Sequence, residues 1–119
     1  MSQIETRSGG CHCGKVRYQA KLDLASPVIS CNCSMCGRTG TLLNFVPADQ
    51  FTLQSGEDSL TDYQFNKKHI HHLFCKVCGV KSFARGTGPQ GPTVAVNTRC
   101  LDDINVDELK VMKHDGKSK

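Results

Sequence analysis

Apolar and polar residues alternate along this chain with a period of two, and only in short runs. The clearest run is Lys15-Val16-Arg17-Tyr18-Gln19-Ala20, which follows the flexible stretch Gly9-Gly10-Cys11-His12-Cys13-Gly14 and reads as a loop feeding a strand. Beyond Pro27, Val28-Ile29-Ser30 forms a brief apolar strand. Residues 41–46 form another that stops at Pro47, and Phe51-Thr52-Leu53 and residues 60–65 repeat the pattern around the turn Ser55-Gly56-Glu57-Asp58. Residues 67–75, 80–85 and 93–98 predict further strands, and residues 86–92 are too rich in Gly and Pro to be regular. Only Asp102-Asp103-Ile104-Asn105 and the acidic turn at Asp107-Glu108 hint at a brief helix, with aspartates suited to an N-cap. No heptads and no repeat at roughly 20 to 50 residues are visible. The pattern predicts one mostly β domain of short strands with irregular loops over residues 9–113. A flexible N-terminus at 1–8 and a flexible basic tail at 114–119 flank it.

Composition sharpens this picture. A chain of 119 residues with no Trp, two Tyr and five Phe has a thin core, and eight cysteines, 11 glycines and four prolines imply that staples supplement packing. The N-terminus lacks the roughly 7 to 15 apolar residues of a signal peptide, and no run of ~20 apolar residues could span a bilayer. A soluble, cytoplasmic protein is therefore expected. In a reducing compartment clustered cysteines are metal ligands more often than disulfides.

The thiols are spaced for metal binding. Cys31-Asn32-Cys33-Ser34-Met35-Cys36-Gly37 carries three thiols in one short segment. In an extended chain residues two apart face the same side, and Cys33-x-x-Cys36-Gly37 has the spacing of a zinc knuckle. Cys11-x-Cys13 is a second same-face pair, and Cys75-Lys76-Val77-Cys78-Gly79 a second knuckle. Joining Cys11 and Cys13 to Cys75 and Cys78 makes a closed four-thiolate site that ties distant segments together and turns binding energy into folding energy. Cys31, Cys33, Cys36 and Cys100 remain. Cys100 either completes a second closed site or is a buried thiol, which leaves the second metal an open position.

The order of Cys11-x-Cys13-Gly14, Cys31-x-Cys33-Ser34-x-Cys36, Gly56-Glu57-Asp58 with Tyr63-x-Phe65, His72-x-Phe74-Cys75-x-x-Cys78-Gly79 and Val96-Asn97-x-Arg99-Cys100-Leu101-Asp102 resembles the glutathione-dependent formaldehyde-activating enzyme family, which also includes centromere protein V. The resemblance runs from about residue 9 to 105. It implies a β-tent fold stapled by two zinc-thiolate sites, hence two Zn2+ per chain. By the same carry-over Cys11, Cys13, Cys75 and Cys78 are the structural ligands. Cys31, Cys33 and Cys36 hold the open catalytic zinc, and Cys100 is not a ligand. The implied activity is that of a carbon-sulfur lyase acting on a thiol adduct such as S-hydroxymethylglutathione. The alternative is a non-catalytic zinc-stapled interaction module or a thiol carrier.

Charge argues against a nucleic-acid partner. The formal +4 counts thiols as neutral, and seven thiolates with two zinc ions bring it to about +1, which leaves little basis for nucleic-acid binding. Arg38 is the nearest cation to the three-cysteine segment in sequence, and no motif marks residues for the carboxylates of glutathione. His69 and His71 share a strand face, His72 is placed to support a thiolate, and His12 is expected to point away from the metal held by its neighbours. The oligomeric state is left open.

Overall fold

The computed structural model describes residues 4–64, 70–88 and 91–115. Its strands are β1 (Ile4–Gly10), β2 (Arg17–Asp23), β3 (Val28–Cys31), β4 (Leu43–Pro47), β5 (Phe51–Ser55), β6 (Leu60–Tyr63), β7 (His71–Cys75), β8 (Phe83–Gly88), β9 (Gly91–Asn97) and β10 (Val111–His114). Among the described residues a single α-helix, α1 (Ser34–Thr39), follows β3. A three-stranded sheet in the order β1-β2-β5 packs against a seven-stranded sheet in the order β10-β3-β4-β9-β8-β7-β6. Among the described residues every strand pairing is antiparallel except β10 with β3, and the result is the mostly β architecture expected.

Alternation decides which faces meet. In β2, Tyr18, Ala20 and Leu22 are buried while Gln19 and Lys21 face solvent. In β9, Val94 and Val96 point into the same core. Between the sheets Tyr18, Phe51 and Phe83 form an aromatic cluster with centroids 4.7 to 6.0 Å apart. Tyr18 and Phe83 are fully buried there. Few aromatics are present, but three of them are spent on one seam.

Several boundaries differ from the sequence reading. Residues 4–8, expected as part of a flexible N-terminus, lie in β1 and pair with β2 in continuous register from Ile4 opposite Asp23 to Gly10 opposite Arg17. The glycines that pointed to looseness serve close packing: a Cβ on Gly9 would lie 2.7 Å from the Cys100 carbonyl oxygen and 2.8 Å from the Tyr18 hydroxyl. The C-terminal segment is likewise paired: Val111–His114 runs parallel to Val28–Cys31, and the Asp115 carboxylate accepts a hydrogen bond from the Asn32 amide at 3.1 Å, so the domain extends past residue 113. β8 and β9 extend into the stretch read as an irregular loop, with Gly88 opposite Gly91 in an antiparallel hairpin. The brief helix expected near residue 102 is a 3-10 turn at Val106–Glu108, capped by Asn105 rather than by an aspartate. Short 3-10 turns at Ala48–Gln50 and Glu57–Ser59 replace the plain tight connections expected there.

Candidate metal centres

All eight cysteines are free thiols, and seven of them gather into two groups. Cys11 and Cys13 sit on the turn between β1 and β2, Cys75 ends β7, and Cys78 lies on the turn after it. The turn closes because residue 10 is glycine: the Cys11 N–H donates to the Val16 carbonyl at 3.0 Å, and a Cβ on Gly10 would lie 2.0 Å from that oxygen. The four sulfurs lie within 4.8 Å of one another, with Cys11 to Cys13 at 3.5 Å and Cys13 to Cys75 at 3.7 Å. Four sulfurs set ~2.3 Å from a central zinc form a tetrahedron with ~3.8 Å edges, so these distances fit a shared thiophilic ion. A disulfide would bring a pair to about 2.05 Å.

Backbone amides are aimed at the same sulfurs. The Val16 N–H donates to Cys11 Sγ at 3.3 Å and the Val77 N–H to Cys75 Sγ at 3.4 Å. Amides of Val80 and Cys13 pull the Cys78 thiol down to about 6. Such donors favour thiolate over thiol, the form that binds metal.

The second group is built differently. Cys31 ends β3, Cys33 is the N-cap of α1, and Cys36 lies in the helix, so the segment read as a zinc knuckle from Cys33 to Cys36 is the first turn of a helix. Their sulfurs also lie within 4.8 Å of one another. The Cys33 N–H donates to Cys31 Sγ at 3.5 Å, and the Cys36 N–H donates to Cys33 Sγ at 3.3 Å, the thiol taking the place of the usual hydroxyl or carboxylate cap. At the other end Gly40 adopts a left-handed φ of 69° and its N–H reaches the Cys36 carbonyl at 2.9 Å. Arg99 Nε then donates to the Gly40 carbonyl at 3.1 Å, which pins the helix to the turn after β9. β10 braces the other ligand strand, with His114 opposite Cys31 and the Asn32 N–H donating to the His114 carbonyl at 3.1 Å.

The metal-free charge pattern of this trio calls for a cation. Burial alone would raise Cys33, but the Cys36 amide and the Cys36, Cys31 and Met35 donors outweigh it and hold the thiol below its ordinary value. Cys36 is pushed up to about 11 by burial, by the hydrogen bond it shares with Cys33, and by the negative charge of Cys33 and Cys31. Charge on Cys33 thus works against charge on Cys36 unless a cation lies between them, and a set of three converging sulfurs fits a zinc-like dication.

Among the described residues no further His, Cys, Asp or Glu joins either group. Cys100, left open between ligation and burial by spacing alone, is in neither. Its thiol donates to the Lys81 carbonyl at 3.7 Å, accepts from Asn97 Nδ2 at 3.4 Å, and is pushed up to about 11 by burial. Asn97 is a residue whose role spacing did not reveal. Its Oδ1 accepts from the N–H groups of Arg99 at 3.2 Å and Leu42 at 3.4 Å, and its Nδ2 donates to the Lys81 carbonyl at 2.9 Å. One buried amide thus joins the residue before β4, the segment before β8 and the Thr98–Cys100 turn. A polar residue ending the apolar run Val94-Ala95-Val96 was the available signal.

The other candidates fall as follows. Arg38 turns back along α1 to donate to the Ser34 carbonyl at 3.0 Å. His12 is exposed. His71 is exposed and lies 2.6 Å from Asp62. His72 is buried and meets Lys81 through its Nδ1 at 2.7 Å. The expectation for His69 lies outside the described residues. Among the described residues no helix is long and apolar enough to cross a membrane.

Fold and clusters together define a small, mostly β domain with two cysteine centres, each able to hold a metal ion. The sequence pattern of the glutathione-dependent formaldehyde-activating enzyme family matches residues 6–115, and the chain belongs to that family. A crystal structure of a Rhodobacter sphaeroides protein is similar to it with a TM-score of 0.80 at 27% sequence identity, covering 90% of this chain and 99% of that one.

Proposed function

We propose that this protein holds two zinc ions and makes or breaks the carbon-sulfur bond of a thiol adduct such as S-hydroxymethylglutathione in the reducing cytoplasm. Cys11, Cys13, Cys75 and Cys78 hold one ion as a closed structural staple. Cys31, Cys33 and Cys36 hold the other with one position left for a guest. The observation that carries this reading is the membership of the second group: three sulfurs converge, and Cys100, the one remaining thiol, is turned to the Lys81 carbonyl instead. Family membership supports glutathione as the thiol and formaldehyde as the carbonyl partner.

Zinc, when bound, supplies a Lewis-acidic position that favours a guest sulfur as thiolate. The chain supplies the rest. The Cys33 and Cys36 amides donate to Cys31 Sγ and Cys33 Sγ, and Arg99 with Gly40 fixes the helix that carries Cys36. Cys36 is buried while Cys31 and Cys33 are half-buried, so a small thiol has access from their side. In the synthetic direction a sulfur electron pair forms the C–S bond, the carbonyl π pair moves to oxygen, and that oxygen takes a proton.

Exchange NMR on glutathione and formaldehyde tests the reading. Wild-type protein is expected to speed the approach to equilibrium, Cys100→Ala to retain the effect, and Cys36→Ser to abolish it. Glutathione binding without acceleration would leave a thiol carrier. If glutathione neither binds nor perturbs the metal, an interaction module is left.

A further inference from the structure

His114 ends β10, and its place in the fold is set by the three-cysteine segment itself. β10 runs parallel to β3 with His114 directly opposite Cys31. The Asn32 N–H, on the residue between two of the ligands, donates to the His114 carbonyl at 3.1 Å, and the Asn32 side-chain amide donates to the Asp115 carboxylate at 3.1 Å. Adjacent strands lie about 4.8 Å apart and residues in register project from the same face of a sheet, so the imidazole and Cys31 Sγ leave their strands side by side. The ring is exposed, and among the described residues its nitrogens enter no hydrogen bond or ion pair. It stands outside the sulfur cluster, yet with the backbone already against the ligand segment only two side-chain torsions separate the ring from it. Cys100 and His72 are engaged elsewhere, with the Lys81 carbonyl and the Lys81 ammonium. Three thiolates and one imidazole form a common tetrahedral zinc donor set. All four β10 side chains are exposed, so packing gives this strand no purpose of its own.

We propose that β10 delivers His114 as the resting fourth ligand of the metal held by Cys31, Cys33 and Cys36, a ligand that a guest thiol displaces; the inference rests on the function proposed above in taking the trio as a metal centre with one exchangeable position. In the exchange the guest thiol gives its proton to solvent water, its sulfur electron pair takes the position at the ion, and the imidazole nitrogen leaves with its own lone pair. The reverse exchange returns the imidazole. Because imidazole and guest compete for one position, whatever factor His114 adds to metal affinity it takes from the apparent affinity of the guest. The centre thereby holds its ion when no thiol is present, and the position opens only to a ligand that competes with an imidazole.

The test follows the ring nitrogens of nitrogen-15 histidine-labelled protein loaded with cadmium-113. A ring nitrogen of His114 is expected to show scalar coupling to one of the two cadmium ions, and excess glutathione is expected to abolish it. In zinc-chelator competition His114→Ala is expected to weaken the second zinc by about 10- to 100-fold, the range that loss of even a supporting contact produces at zinc sites. Once loaded, the same variant is expected to bind glutathione more tightly by the same factor, and Lys113→Ala, on the same exposed strand, to change neither quantity. Absence of the coupling with both ions bound overturns the inference and leaves the proposed function standing. Weaker zinc in His114→Ala with unchanged glutathione affinity would make the residue a support of β3 and also overturns it. Coupling that survives excess glutathione would make the centre closed, which overturns both the inference and the proposed function. Coupling that glutathione abolishes, without acceleration of S-hydroxymethylglutathione exchange, sinks the catalytic reading and leaves His114 as the displaceable ligand. If the trio of the wild type takes up no metal, the reading of it as a metal centre fails and the inference fails with it.

Discussion

The four-cysteine and three-cysteine centres use the same ligand atom in opposite ways. The first joins segments 62 positions apart, Cys13 to Cys75, so a metal there closes a long loop through the core. The second lies within one short segment, and its geometry is imposed from outside by β10, by Arg99 on the helix terminus and by the Asn97 hub. Where ligands come from distant parts of the chain, metal affinity is spent on folding. Where the protein prearranges a local trio, an ion would add little to the fold and, on the function proposed above, would be left for chemistry. Burial agrees in part: Cys11 and Cys75 are buried on the core side of the first group, whereas only Cys36 is buried in the second.

Breaking the first centre is expected to have the largest effect. Cys75→Ser or Cys78→Ser should leave the chain largely unfolded, since structural zinc contributes on the order of 10 kcal/mol in small domains, whereas Cys36→Ser should stay folded and lose one metal ion. Circular dichroism with metal analysis distinguishes the two; equal collapse of all three variants would mean that the sites are divided wrongly. Next in size is Phe83→Ala, which empties a fully buried aromatic position between the sheets and should cost about 3 to 5 kcal/mol in urea denaturation. It should release both metals in one transition rather than one of them selectively.

Acid provides the third test. His72 lies on the strand that ends in Cys75, and its imidazole is held at about 4 in the fold against an ordinary 6.5. The folded state therefore binds fewer protons than the unfolded one in this interval. The stability that His72 contributes is complete above pH 6.5 and is lost progressively as pH falls toward 4, by up to about 3 kcal/mol. Urea melts of wild type and His72→Gln across this range should converge as pH falls; parallel curves would contradict the assignment. The smallest effect is expected from Gly40→Ala. A Cβ there meets nothing within 4 Å, so the cost is left-handed strain of about 1 kcal/mol. Chelator competition should show a weaker three-cysteine centre and an unchanged four-cysteine one.

The seven clustered thiols were legible because zinc ligation depends on residue type and short spacing, which the sequence carries directly. The central strands were legible too, since Tyr18, Ala20 and Leu22 alternate with polar neighbours. β1 was not, because Thr6, Arg7 and Ser8 offer no apolar face and its inward positions are glycines selected by the approach of Tyr18 and Cys100. β10 was hidden in the same way: Val111, Met112, Lys113 and His114 are all exposed, and their pairing comes from the backbone edge of β3. α1 escaped because its N-cap is a cysteine, which metal spacing had already claimed. The contacts of Lys81 escaped because a lone lysine carries no spacing signal, and its neighbours His72, Asn97 and Cys100 come together through the pairing of β7, β8 and β9.

Cadmium-113 NMR of the cadmium-substituted protein tests most directly whether one centre is closed and the other open. Two resonances of equal intensity are expected, the more deshielded one from the four-thiolate site. Added glutathione should move only the other, and Cys36→Ser should delete it. Two resonances that both ignore glutathione, or the loss of the more deshielded signal in Cys36→Ser, would contradict the division of labour between the centres.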